Sequence, residues 1–227
     1  MLSEQEKHQI AARVAAFEAA TGVQLVTTLL PRCDHYPELP WKAFALGIAA
    51  GTGLVLLAVG VTPFASLRAL LGLTGGWGGD SGGVALAIVL GAGLMSAALA
   101  LLVPGYARWF LSGARAEGEV RQAAQALFLE HELFQTRART GVLMLVSIFE
   151  RRVVLLADRG LRARLPEPAL GEIVAAMTAP LRRRAVVPAF LAGIEHLESQ
   201  VRALGLAAGA ADKALPDYLD PASGEPR

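Results

Sequence analysis

The chain reads as an α/β protein with a small central sheet flanked by helices, interrupted by a two-helix transmembrane hairpin. Three observations predict this. Two long runs lack charge: 25 residues between Lys42 and Arg68, and 27 between Asp80 and Arg108. Outside them, Val23–Leu30, Gly141–Phe149 and Arg152–Ala157 are apolar runs of strand length. The remaining flanks carry apolar residues at helical intervals.

Ser3 and Glu6 have capping-box spacing, and Ile10, Val14 and Phe17 follow on one face, so residues 3–20 form an amphipathic helix ended by Thr21-Gly22. Val23–Leu30 is then a buried strand, and Pro31, Pro37 and Pro40 make an extended linker. This first part, 1–31, cannot bury a core alone.

Residues 43–110 form the hairpin, with spans at about 43–66 and 83–107. Arg68, Asp80 and Arg108 are its only charges, each at the end of a run. Every backbone group in lipid must be paired inside its own helix, which favours such runs. Trp41, Trp77 and Trp109 sit before, between and after them, where amphipathic rings prefer the headgroup layer. Fourteen of the 24 glycines fall here. Gly47 and Gly51 make a small-xxx-small step that fits either packing of the two spans or a homodimer. Arg32, Lys42, Arg108, Arg115 and Arg121 flank the outer ends, against Arg68 alone in the connector. The positive-inside bias therefore assigns both flanks to the cytoplasm and the protein to the inner (cell) membrane. The run starts too far into the chain for a secretory signal.

The second part of the divided domain spans 115–204. A helix over 115–135 carries Val120, Ala124, Leu127, Phe128 and Leu133. The two strand-like runs are separated only by Glu150-Arg151, which predicts an antiparallel hairpin without a usual Asn-Gly turn. A helix from Pro168 presents Leu170, Ile173, Val174, Met177 and Leu181, with Pro180 set to kink or stop it. A last helix from Pro188 presents Phe190, Ile194, Leu197, Val201 and Leu204; residues 205–227 are a flexible tail.

With 54% hydrophobic and 18% charged residues, the chain is neither disordered nor collagenous. Its 21 basic and 20 acidic residues give no nucleic-acid-binding signal. The single Cys33 closes no internal disulfide. Gly75–Gly83 lacks the Gly-Lys-Ser/Thr of a phosphate loop and reads as a connector. His131 and His196, beside glutamates, read as solvated positions, and Ser147, without nucleophile-elbow glycines, as a sheet position.

Glu150, Asp158 and Glu167 form a candidate acidic cluster at one sheet edge, of the kind that holds calcium or magnesium or serves as acid and base. Arg151 and Arg159 are the candidate anion-binding residues. Residues 137–184 hold ten arginines against four acids. Such a surface suits anionic headgroups of the lipid bilayer or an acidic protein partner.

Arg139–Leu161 (RTGVLMLVSIFERRVVLLADRGL) resembles the central signature of the TPM-domain family, related to a thylakoid-lumen acid phosphatase. The likeness is greatest to a bacterial membrane-protein branch with an inserted transmembrane hairpin. It extends to Thr21–Leu30, Ala189–Leu197 and Leu215–Leu219 (LPDYL). The resemblance implies an α/β sandwich and, for some relatives, phosphatase activity or binding of a divalent cation by acidic residues. Glu150 and Asp158 match acidic positions of that signature; Val154 and Lys213-Ala214 depart from it. Two functions follow as expectations. One is an integral membrane protein with a cytoplasmic TPM-like binding or accessory module; the other is a metal-assisted, membrane-anchored phosphatase. Transport is disfavoured, because neither span holds an internal ionisable residue.

Overall fold

The computed structural model describes residues 2–60, 80–136 and 139–205. The Gly-rich connector with Trp77, the end of the first span, Arg137, the LPDYL segment and the tail beyond Gly205 lie outside the described residues. The chain divides into two compact units: Met1–Asp34 with Ala114–Arg227, and His35–Gly113.

The first unit is mixed α/β. Helix α1 (Glu4–Thr21) opens with a capping box, in which Glu6 N donates to Ser3 Oγ at 3.3 Å and Ser3 N donates to Glu6 Oε2 at 2.7 Å. It closes on Gly22, whose φ of 67° is the left-handed conformation that glycine adopts freely. Strand β1 (Leu25–Leu30) is tied to α1 through Leu25 N, which donates to Glu18 Oε1 at 2.9 Å.

Helix α5 (Gly113–Glu130) is shorter than its apolar spacing predicts. Glu132 takes a left-handed conformation (φ 49°), and a 3-10 turn at Leu133–Gln135 then delivers Leu133 to the core. β2 (Val142–Ser147) and β3 (Arg152–Ala157) follow, then a short helix α6 (Arg159–Arg162), α7 (Glu167–Arg182) and α8 (Val186–Ala203). Pro180 lies in the last turn of α7, where its missing N–H costs one bond and the helix ends soon after. α8 begins before Pro188, which occupies the first turn, where no N–H is needed.

The sheet order is β1-β2-β3. β1 and β2 run parallel, Leu25 opposite Val142 and Leu30 opposite Ser147. β2 and β3 run antiparallel, Val142 opposite Ala157 and Ser147 opposite Arg152. Parallel neighbours need a crossover; here it contains α5 and, before it, the whole second unit. Alternation along the strands splits the core into two layers. Val142, Met144 and Val146 face Phe17 of α1, Ile173 and Met177 of α7, and Phe190 and Ile194 of α8. Leu143 and Leu145 face Val120 and Ala124 of α5, with Val26 and Leu133. The central strand is buried along its full length.

In the second unit, helix α2 (Glu38–Gly60) starts inside the expected linker, with Pro40 in its first turn. α3 (Asp80–Leu102) ends earlier than the uncharged run does. Pro104 forces Val103 out of helical geometry (φ −115°, ψ 98°), and a separate turn α4 (Pro104–Ala107) begins. The two long helices are antiparallel. A Cβ on Gly47 would lie 2.4 Å from Ala92 O, and one on Gly51 would lie 3.0 Å from Val89 Cα. The glycine step of α2 therefore packs against α3 of the same chain. Ser96 Oγ donates to Ala43 O at 2.6 Å, and Lys42 Nζ donates to Phe110 O at 3.3 Å, joining entry and exit at one end. Trp41 and Trp109 are both exposed at that end. Leu46, Leu54, Leu57, Leu86, Leu90, Leu94, Met95 and Leu101 are exposed along the pair. Both helices are long and apolar enough to cross a membrane.

Candidate functional site

β3 is six residues long, and the five site residues expected from sequence are distributed around its two ends and the loop beyond. Glu150 lies in the β2–β3 turn. Its Oε1 accepts from Cys33 N at 3.0 Å, and its Oε2 accepts from the Ser147 hydroxyl. Ile148 N and Phe149 N donate to Leu30 O and Pro31 O, both at 3.0 Å, so the segment leaving β1 holds the turn directly. Arg32 stacks over the Phe149 ring, 4.2 Å from guanidinium carbon to centroid. These contacts, rather than turn chemistry, define the hairpin and let Arg151 sit at φ 53°.

Ser147 and Glu150 are an oxygen nucleophile and a carboxylate in contact, but they are 1% and 7% exposed. A substrate carbonyl or phosphoryl group has no access to them. Burial pushes the Cys33 thiol up to about 11; the Ser147 hydroxyl opposes that shift, and the charges of Glu150, Glu119 and Asp34 add to it. The thiol is therefore protonated at neutral pH and a poor nucleophile. Glu150 is a clamp between two chain segments.

Asp158 lies at the opposite end of β3, where it caps α6: its Oδ1 accepts from Arg159 N at 2.7 Å. Its Oδ2 is buried and accepts no hydrogen bond among the described residues; Arg139 Nη1 lies 3.9 Å away, an ion-pair distance too long for a hydrogen bond. Glu167 is exposed at the start of α7, with Arg162 Nη2 3.3 Å from its Oε1.

Of the expected acidic cluster, Glu150 and Asp158 lie at opposite ends of β3. A six-residue strand at about 3.3 Å per residue puts Glu150 and Asp158 on the order of 20 Å apart, whereas calcium ligands sit at about 2.3–2.6 Å from one ion. No group of three metal-ligating side chains converges among the described residues. Arg151 and Arg159 are separated by the same strand and do not form one anion clamp. Sequence reasoning missed Cys33, Ser147 and Arg139 as partners of these carboxylates. Only the alternation that places Ser147 on the α5 face, three residues before Glu150, hinted at the first contact.

A three-stranded sheet between helical layers, with an apolar helical pair inserted in a crossover, defines the class of molecule. Residues 111–200 match the family model of the TPM domain. A solved structure, the BA42 protein from the psychrophilic bacterium Bizionia argentinensis, is similar in fold, with a TM-score of 0.52 over 97% of this chain and 92% of that one, at 11% identity. No curated protein matches the sequence.

Proposed function

We propose that the protein is an integral inner-membrane protein whose TPM domain faces the cytoplasm and acts as a binding or accessory module for an acidic protein partner, in membrane-protein assembly or quality control. The observation that carries this reading is the division of labour among its charges. Glu150, and Asp158 through its Oδ1, are engaged in structural hydrogen bonds. Arg151, Arg152, Arg164, Arg182, Arg183 and Arg184 are exposed and form no ion pair among the described residues. Guanidinium groups left to solvent suit multidentate recognition of carboxylates. The apolar exteriors of α2 and α3 support membrane anchoring, and the arginines at the outer ends support the orientation.

A photocrosslinking residue introduced beside Arg183 in native membranes should give a discrete adduct that disappears when Arg182, Arg183 and Arg184 are changed to serine. Membrane fractions should keep the chain through alkaline carbonate, and a reporter after Arg227 should behave as cytoplasmic. Turnover of phosphomonoesters by the reconstituted chain, lost on Glu150→Gln, would reject the module reading in favour of hydrolysis.

A further inference from the structure

We infer that β3 is a self-association edge, pairing antiparallel with β3 of a second copy to join two three-stranded sheets into one of six strands. This surface shares only Arg152 with the arginine-based module reading, does not rest on that reading, and is separate from the Gly47/Gly51 step, which α3 already occupies.

Among the described residues the edge is unpaired, and it is correctly phased. Asp158 N donates to Gly141 O at 2.8 Å, which makes Gly141 and Asp158 a hydrogen-bonded pair. Antiparallel alternation then turns the backbone groups of Leu156, Val154 and Arg152 toward β2, and those of Val153, Leu155 and Ala157 outward. No backbone bond from these three to another element exists among the described residues. Soluble edges are usually blunted by lysine, proline, a bulge or an inward charge. Val153–Ala157 (VVLLA) contains none of them, and all five side chains are only partly buried. The opposite edge strand β1 is mostly buried.

The chemistry selects a second copy. With Leu155 on the two-fold axis, Val153 faces the partner subunit's Ala157, and Ala157 faces the partner subunit's Val153. All three outward-facing positions are then hydrogen-bonded pairs, giving about six backbone bonds. The same register sets exposed Arg152 opposite the partner subunit's Asp158, on the same face of the joined sheet. Asp158 is the carboxylate whose Oδ2 lacks a hydrogen-bond donor in one chain. Each copy thus supplies a cation that has no ion pair among the described residues and a carboxylate whose Oδ2 has only the long Arg139 ion pair at 3.9 Å, twice across the axis. Arg151 and Arg159 lie beyond the paired strands, where water and salt screen them.

The test uses the full chain in detergent or nanodiscs, in a Cys33→Ser background. Mixing Arg152→Cys chains with Asp158→Cys chains should give a disulfide-linked dimer, because a non-hydrogen-bonded pair has Cα atoms about 4.5 Å apart. Arg152→Cys alone should not crosslink, since its two copies would be separated by roughly 20 Å along the strand. If Asp158→Cys loses helical signal, Val153→Cys mixed with Ala157→Cys replaces it. Ala157→Pro removes an outward N–H without touching the β2 ladder, and should weaken dimerisation about tenfold by removing two of the bonds. A monomer at all concentrations, a dimer that the mixed cysteines fail to trap, or one indifferent to Ala157→Pro would each overturn the proposal.

Discussion

Replacing Glu150 with alanine isolates what the β2–β3 clamp contributes. The side chain is 7% exposed and accepts from Cys33 N and Ser147 Oγ, so the substitution strands two donors where little water reaches. An unsatisfied buried donor costs about 1–3 kcal/mol, and partial relaxation of the turn makes about 2–4 kcal/mol a reasonable total for the pair. The three tryptophans all fall in or beside the apolar hairpin, so they do not report on the sheet unit. Urea unfolding followed by far-UV circular dichroism in a mild detergent is the suitable assay. At a slope of about 2 kcal/mol per molar, the midpoint of the sheet unit should fall by roughly 1–2 M. Glu150→Gln keeps one acceptor oxygen and should lose about 1 kcal/mol, less than half the effect of alanine. The glutamine change also removes a negative charge near the thiol, so alkylation of Cys33 should begin at lower pH than in the parent chain. Equal midpoints for parent and Glu150→Ala would refute the clamp.

Gly47→Val should separate α2 from α3, because the new Cβ would meet Ala92 O and Gly93 Cα at 2.4 and 2.8 Å; protease resistance of the hairpin in detergent should drop. Gly53→Ala, with nothing within 4 Å, is its silent control. Gly141→Ala places a Cβ 2.2 Å from Leu133 O at the start of β2, and should lower stability by about 1–3 kcal/mol in the same urea assay. Glu198 bridges α1 and α8: the bond from Arg13 Nη2 at 2.6 Å, chiefly, and that from Arg202 hold its carboxyl below the ordinary 4.5. A lowered folded-state pKa contributes stability that is present above the ordinary value and is lost as pH falls through the lowered one. The urea midpoint should therefore decline below about pH 4.5, and Arg13→Ala should make that decline shallower.

Much of the architecture was legible because it rests on periodicity. The faces of α1, α7 and α8 follow directly from Ile10-Val14-Phe17, Ile173-Met177 and Ile194-Leu197-Val201. The strand runs did too, since β2 is apolar on both faces, as a central strand must be. The parallel pairing of β1 with β2 was not legible, because register between segments over a hundred residues apart leaves no local signature. Boundaries moved at Pro40, Pro104 and Glu132, where a single backbone conformation decides and hydropathy is silent. The separation of Glu150 from Asp158 was not legible, for a geometric reason. Glu150 and Asp158 are near in sequence, yet an extended strand carries neighbours apart at its maximal rate, and that strand connects them.

The insertion of the apolar pair within the crossover has a consequence for biosynthesis. Leu25 must wait for Val142, 117 residues later, before it finds its ladder partner. At about 5–20 residues per second of translation, that is a delay of roughly 6–23 s. During it the nascent helix α1 and strand β1 carry bare aliphatic surface with no mate, while the ribosome is still making the two long apolar helices. Maturation of the leading piece thus has to follow synthesis of the apolar pair and of β2, and a chain interrupted before Val142 would leave an orphan fragment for holdases and proteases.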